Sequence, residues 1–248
     1  MNHQPASLGI ACESDAGAVG ISYRGYRFPP DVIQRAVWLY LRFTLSLRDV
    51  EDILAERGID VTYETIRCWV DRFGPLIADR IRTTRPRPTS KWHLDEMFVS
   101  IRGRQMYLWR AIDDEGEVLE VLLTSKRDKR AALRLMRKLL RKHGVSPTVI
   151  MTDRYRVYGA AFKDIGLQVD HVMDKRANNR IESSHVPIRR RERKRQGFKS
   201  ARSAQRFLSM HAATYNLFNV GRHLTTARTH RLFRATALAT WRSATAVA

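Results

Sequence analysis

Apolar positions along this chain change period once, and the change divides it. From Pro29 onward the spacing is helical. In DVIQRAVWLYLR, Val32, Ala36, Leu39 and Tyr40 recur at helical spacing, and Asp31 suits the first turn. In LSLRDVEDILAERGIDVTYETIRCWVDRFG, Ser46 is placed to cap a helix whose Val50, Ile53 and Leu54 share a face. Gly58 ends that helix, because glycine enters the left-handed region at no steric cost. Thr62 then caps a second helix carrying Ile66, Trp69 and Val70, with Tyr63, Glu64 and Arg67 pointing outward. Helix, glycine-containing turn and helix is the pattern of a helix-turn-helix, whose second helix enters the DNA major groove; a plain helical hairpin gives the same pattern. Residues 1–27, rich in Gly, Ala and Ser without periodicity, read as a mobile arm. Prolines in RTTRPRPTSK forbid a regular helix over 82–91 and mark a linker.

Beyond the linker the pattern turns to strands. KWHLDEMFVSI, QMYLWRAID and EVLEVLLTS are joined by the turns RGR and DEG, which predicts an antiparallel meander. KRDKRAALRLMRKLLRKHG follows as a helix stopped by Gly144, then TVIMTD as a short buried strand, YGAAFKDIG as a small helix and LQVDHV as a further strand. From about residue 179 the chain is helical again. The order β-β-β-α-β-α-β-α predicts an α/β fold: a ribonuclease-H-like mixed-sheet catalytic domain over 92–200. An all-α helix-turn-helix domain over 28–81 precedes it, and C-terminal helices over 201–248 follow. Trp92, Phe98, Tyr107 and Trp109 are expected in the core, and Trp241 receives no assignment.

Charge narrows the partner. Lys and Arg total 45 against 25 acids, a net +20 at pH 7. Such an excess repels itself unless an anion neutralises it, and nucleic acid is the commonest such partner. A membrane-surface role is disfavoured, since no basic amphipathic anchor stands out and no stretch approaches the ~20 apolar residues of a span. Cys12 and Cys68 lack companions at ligand spacing, so neither a disulfide framework nor a zinc site is expected. The first residues do not read as a signal peptide, so a soluble, cytoplasmic protein is the expectation.

Three carboxylates stand out by joint placement. Asp95 lies inside the first strand, Asp153 at the C-terminal end of the fourth, and Glu182 on the helix after the fifth. If the first and fourth strands are neighbours, all three converge on one edge of the sheet. Clustered carboxylates bind hard divalent ions such as Mg²⁺, with Mn²⁺ as a substitute, and a pair of such ions serves phosphodiester chemistry. Downstream of Glu182, six of the seven residues Arg189 to Arg195 are cationic, where phosphates would pass. The outward Tyr63 and Arg67 of the second helix, together with Arg190, Arg191 and Arg193, are the expected DNA contacts. Asn178 and Asn179 read as helix caps rather than substrate contacts.

WHLDE, VIMTDRYRVYG and NNRIESSH…RRRERKRQGFKS resemble the DDE transposases of compact bacterial insertion sequences, most of all the insertion-sequence-six family, which moves replicatively and forms cointegrates. The likeness runs from about Arg27 to about Asn219. It implies that Asp95, Asp153 and Glu182 are catalytic metal ligands, and that Arg189 touches DNA. His185, between Glu182 and Arg189, is a possible auxiliary group. The resemblance also implies the substrates (terminal inverted repeats and target double-stranded DNA) and a reaction. Water cuts at the element's end, and the freed 3′ hydroxyl then attacks the target. An oligomer is expected, since such enzymes pair two ends. Departures are Ser184-His185-Val186 after the glutamate, Arg154-Tyr155 after the second aspartate, and Pro187, which should kink the helix between Glu182 and Arg189. Two rivals remain: an inactive helix-turn-helix regulator, and a ribonuclease-H-like nuclease that cuts without joining.

Overall fold

A computed structural model describes residues 20–153, 155–174, 178–219 and 225–248. Three helices open it: α1 (Pro30–Arg42), α2 (Leu47–Ala55) and α3 (Tyr63–Thr83). Their ends follow local chemistry. Ser46 accepts from Asp49 N while the Asp49 carboxylate accepts from Ser46 N, a reciprocal capping box. Thr62 caps α3 by accepting from Thr65 N at 3.3 Å, and Gly58 sits at φ +72° in the turn between.

The sheet holds five strands: β1 (Lys91–Ile101), β2 (Arg104–Asp113), β3 (Val118–Thr124), β4 (Val149–Thr152) and β5 (Asp170–Met173). Their spatial order is β3-β2-β1-β4-β5, with β1 to β3 antiparallel and β4 and β5 parallel to β1. Helices α4 (Lys129–His143), α5 (Val157–Asp164) and α6 (Asn179–Lys194) alternate with the later strands, and α7 (Ala201–Phe218) and α8 (Ala227–Ala244) close the chain. This is the ribonuclease-H-like arrangement expected from the element order.

Alternation along β1 builds two cores. Trp92 and Leu94 point to one face and pack with Trp109, Ile150 and the apolar sides of α4 and α5. Met97, Val99 and Ile101 point to the other, where α6, α7 and the three N-terminal helices share a single cluster with them. Helix α3 is the spine of that cluster: Ile66, Trp69, Phe73, Ile77 and Ile81 are all at most 2% exposed. Each such side chain stabilises the fold by ~1.5–3 kcal/mol relative to exposure. Gly74 lets α3 pack tightly against α7, since a Cβ there would lie 2.5 Å from Met210 Sδ.

Within residues 20–27, expected in a mobile arm, Ile21 and Tyr23 are instead buried. Ile21 forms a parallel bridge with Val247, and the Tyr23 hydroxyl donates to Thr245 O at 3.2 Å while its ring lies 4.6 Å from that of Phe73. Aromatic burial there outweighs a composition that looked unstructured. Phe98, expected in the core, is instead 50% exposed, its ring 5.3 Å from that of Tyr107. Trp241 joins the larger core. Among the described residues no helix is long and apolar enough to cross a membrane.

Candidate active site

Strand register brings the first two acids together. Lys91, Trp92 and His93 of β1 pair in parallel with Val149, Ile150 and Met151 of β4. Continuing that register sets Asp153, the residue after β4, level with Asp95. The third expected acid is set by the start of α6. Asn178 occupies the N-cap position but makes no side-chain cap; its Nδ2 donates to Leu94 O at 3.0 Å and its Oδ1 lies 3.3 Å from His93 Nδ1. The expected capping role therefore gives way to a tether between α6 and the residue next to Asp95. Glu182 lies one turn further along.

Among the described residues, Asp95, Glu96 and Asp153 each offer a carboxylate oxygen within 4.8 Å of the others. Glu182 is not in that group, yet its charge is felt there. Burial, then the charges of Glu96, Asp153 and Glu182, push the Asp95 carboxyl up to about 7. The Glu182 side chain is exposed and has no hydrogen bond or ion pair among the described residues.

Glu96 does not stand out from the sequence. It alternates to the opposite face from Asp95, onto the α4–α5 side, and both its oxygens are engaged. Oε1 accepts from Arg127 Nε at 2.6 Å, and Oε2 accepts from the buried Tyr158 hydroxyl at 2.7 Å. Arg127 also reaches Asp153, its Nη2 3.7 Å from Oδ2, and its guanidinium lies 3.9 Å above the Tyr155 ring. Tyr155 N in turn donates to Asp153 Oδ1 at 3.0 Å. The second aspartate is thus held from two sides. Its neighbour Arg154, one of the sequence departures, lies outside the described residues. A signal for Glu96 does exist: a carboxylate on the same apolar stripe as Trp92 and Leu94 must find partners.

His185 faces Asp95, with Nδ1 3.8 Å from Oδ2, too far for a hydrogen bond. Burial, then the nearby Arg110 and Arg189, push its pKa down to about 3, so the ring is neutral at pH 7. Helix α6 runs unbroken from Asn179 to Lys194 with Pro187 inside it, so the expected kink does not end or split the helix. Arg189 is half-exposed and donates to Glu192 Oε2 at 3.1 Å.

The arginine block divides. Arg190 and Arg193 are exposed, whereas Arg191 is 2% exposed. Arg191 donates to Leu45 O at 3.2 Å and to Tyr40 O, and its guanidinium lies between the Tyr40 and Phe207 rings. This overturns its expected phosphate contact, since α6 turns that position inward. On α3, Tyr63 and Arg67 are exposed as expected, with Arg67 paired to Glu64 at 2.5 Å and Asp71 at 3.0 Å.

The donor set suits a hard cation: crowded carboxylate oxygens, one with its proton affinity raised by burial and then by neighbouring carboxylates, and no thiolate among them.

Comparison with known proteins adds a family. A family model described as a DDE domain, of the IS240 type, matches residues 89–220. The transposase for insertion sequence-like element IS431mec of Staphylococcus aureus is 33% identical over 198 residues, covering 78% of this chain and 88% of that protein. The transposase for insertion sequence element IS257 in transposon Tn4003, also from Staphylococcus aureus, is 32% identical over the same shares. Among solved structures, the magnesium-bound catalytic core domain of HTLV-2 integrase in its trimeric form aligns at TM-score 0.42 and 14% identity, over 57% of this chain and 95% of that one. The catalytic core of BIV integrase aligns at TM-score 0.42 and 12% identity, over 62% and 99%.

Proposed function

The chain belongs to the DDE transposases of the IS6 family, and from that membership we propose which residues carry its chemistry and on which DNA. As a family member it cleaves and transfers DNA strands with a divalent metal. The proposal is that Asp95, Asp153 and Glu182 hold that metal, Mg²⁺ by preference with Mn²⁺ as a substitute. A cation there would draw negative charge off the scissile phosphodiester and favour attack by an oxygen nucleophile.

The observation that carries the assignment is the β1–β4 register, which sets Asp95 and Asp153 level with one another beside the first turn of α6. For the third ligand, Glu182 is favoured over Glu96 because a carboxylate already gripped by an arginine and a tyrosine has few lone pairs left. Glu96 instead fixes Arg127, whose guanidinium reaches Asp153. His185, neutral at pH 7, is suited to a hydrogen bond with substrate rather than to an ion pair. Arg189 presents half-exposed positive charge two helical turns beyond Glu182, on the same face, where a phosphate can meet it.

We further propose that α3 reads the element's terminal inverted repeats through Tyr63 and Arg67, that two copies or more pair the ends, and that the enzyme works in the cytoplasm. The test is cleavage and joining on a plasmid carrying the element's ends. Asp95→Asn, Asp153→Asn and Glu182→Gln should each abolish both steps, and Glu96→Gln should leave some cleavage. A live Glu182→Gln enzyme beside a dead Glu96→Gln one would move the third ligand to Glu96.

A further inference from the structure

A cleft of about 610 Å³ separates the helix pair α2–α3 from the C-terminal end of α6 and the loop after it. Its lining includes Arg48, Tyr63, Arg193, Arg195 and Lys199, and no carboxylate. Two other cations there are already matched. Lys194 pairs with Asp49 at 2.7 Å, and Arg67 with Glu64 and Asp71. Arg48, Arg193, Arg195 and Lys199 have no carboxylate partner among the described residues. Arg48 lies over the Tyr63 ring at 4.6 Å, which fixes it at the rim.

Arg195 is the informative one. Its guanidinium lies 4.4 Å above the Phe207 ring and 5.6 Å from that of Phe198. Its Nε is buried and, among the described residues, has no hydrogen-bond partner. A half-buried guanidinium without a carboxylate partner is costly unless an anion meets the part of it that lines the cleft. Burial accordingly lowers its proton affinity. Its side chain lines the cleft together with those of Arg48, Arg193 and Lys199.

We propose that this cleft is a binding site for the phosphodiester backbone of duplex DNA, held by Arg48, Arg193, Arg195 and Lys199 of its lining. It is formed jointly by the α2–α3 pair and by the helix that carries Glu182. The inference rests on DNA being the substrate and adds the path the backbone takes. Backbone rather than base contact follows from the lining, where flexible cations and one exposed ring outnumber a single amide, Gln196. The chain's net charge supplies the complement that a polyanion requires.

The experiment uses the full chain in chelator, so that binding is read without cleavage. Fluorescence anisotropy on random-sequence duplex gives log Kd against log salt. Replacing Arg48, Arg193 and Lys199 together by alanine should flatten that slope by ~0.9 for each phosphate these side chains neutralise. Arg195→Met, which keeps the stacking bulk, should flatten it by ~0.9, and Arg195→Lys by less. A control with equal charge removal, Arg134→Ala, Arg137→Ala and Arg141→Ala on the exposed side of α4, should leave the slope unchanged. Thermal melts establish that each variant is folded. An unchanged slope in the folded cleft triple, or an equal fall in the α4 control, overturns the cleft. Wild-type cleavage on the element's ends then still stands, so the loss of the cleft is distinguishable from a loss of the transposase assignment.

Discussion

Tyr158, fully buried, donates its hydroxyl to Glu96 Oε2 at 2.7 Å, while Arg127 takes the other oxygen of the same carboxylate. Removing the hydroxyl leaves a buried charged acceptor short of one partner, which costs ~1–3 kcal/mol. Tyr158→Phe should therefore lower Tm by ~2–10 °C in a chain of this size. Differential scanning calorimetry checks it, and a Tm equal to wild type would mean that solvent reaches Glu96.

Asp95 gives the metal-free protein a pH dependence. Its carboxyl is raised to about 7, mainly by burial, so the folded state holds a proton that the unfolded chain releases near pH 4. The stabilising contribution is full below about pH 4 and is lost as pH rises through about 7. Buried histidines such as His185 and His211 act in the opposite sense, losing stability as pH falls below about 6.5. The difference between wild type and Asp95→Asn isolates the aspartate. In chelator, Asp95→Asn should gain stability relative to wild type between pH 5 and pH 8. A gap that stays flat across that range would place Asp95 in a wetter site.

Arg67 is held by Glu64 and Asp71, exposed pairs worth little in themselves. DNA can therefore recruit its guanidinium cheaply. Arg67→Ala should weaken binding to element ends by ~1–3 kcal/mol if it contacts a base edge. Glu64→Ala should tighten binding to all duplex, since it removes a competing acid. Gel-shift titrations with the full chain decide, because α3 shares its core with α7 and α8. Looser binding in Glu64→Ala would indicate that the glutamate itself faces the DNA.

Arg191 should behave as a core residue. Arg191→Ala leaves carbonyls of Tyr40 and Leu45 without their donor and opens a void between two rings, so a loss of ~3–5 kcal/mol is expected in urea unfolding. Arg190→Ala, on the exposed side, should change stability by less than ~0.5 kcal/mol. Equal losses at the two positions would contradict the inward turn of Arg191.

Much of this is legible in the sequence. Asp95 and Asp153 converge because strand order and a parallel β1–β4 pair follow from the alternation of elements, and helix caps at Ser46 and Thr62 lie where the side chains predict them. Three things are hidden. Counting cations along α6 says nothing of which side they face; the stripe Ile181, Ser184, Ile188 and Arg191, at helical spacing, is what turns Arg191 inward. Glu96 is masked because its neighbour answers the motif, although strand alternation sends the two to opposite faces. Pro187 removes one backbone donor, but its unpaired acceptor belongs to Ser183, which is exposed and can be hydrated, so the helix persists.

Arg191 has a mechanical meaning. It bolts the helix bearing Glu182 to the end of α1, and Lys194 fastens the same helix to Asp49 at the head of α2. The part that would grip a sequence and the part that would cut are consequently one caliper with a locked jaw, not two bodies on a tether. If the proposed roles hold, the number of base pairs between what is gripped and what is severed would be fixed by side chains inside the protein, and lengthening the 82–91 segment would leave that span unchanged.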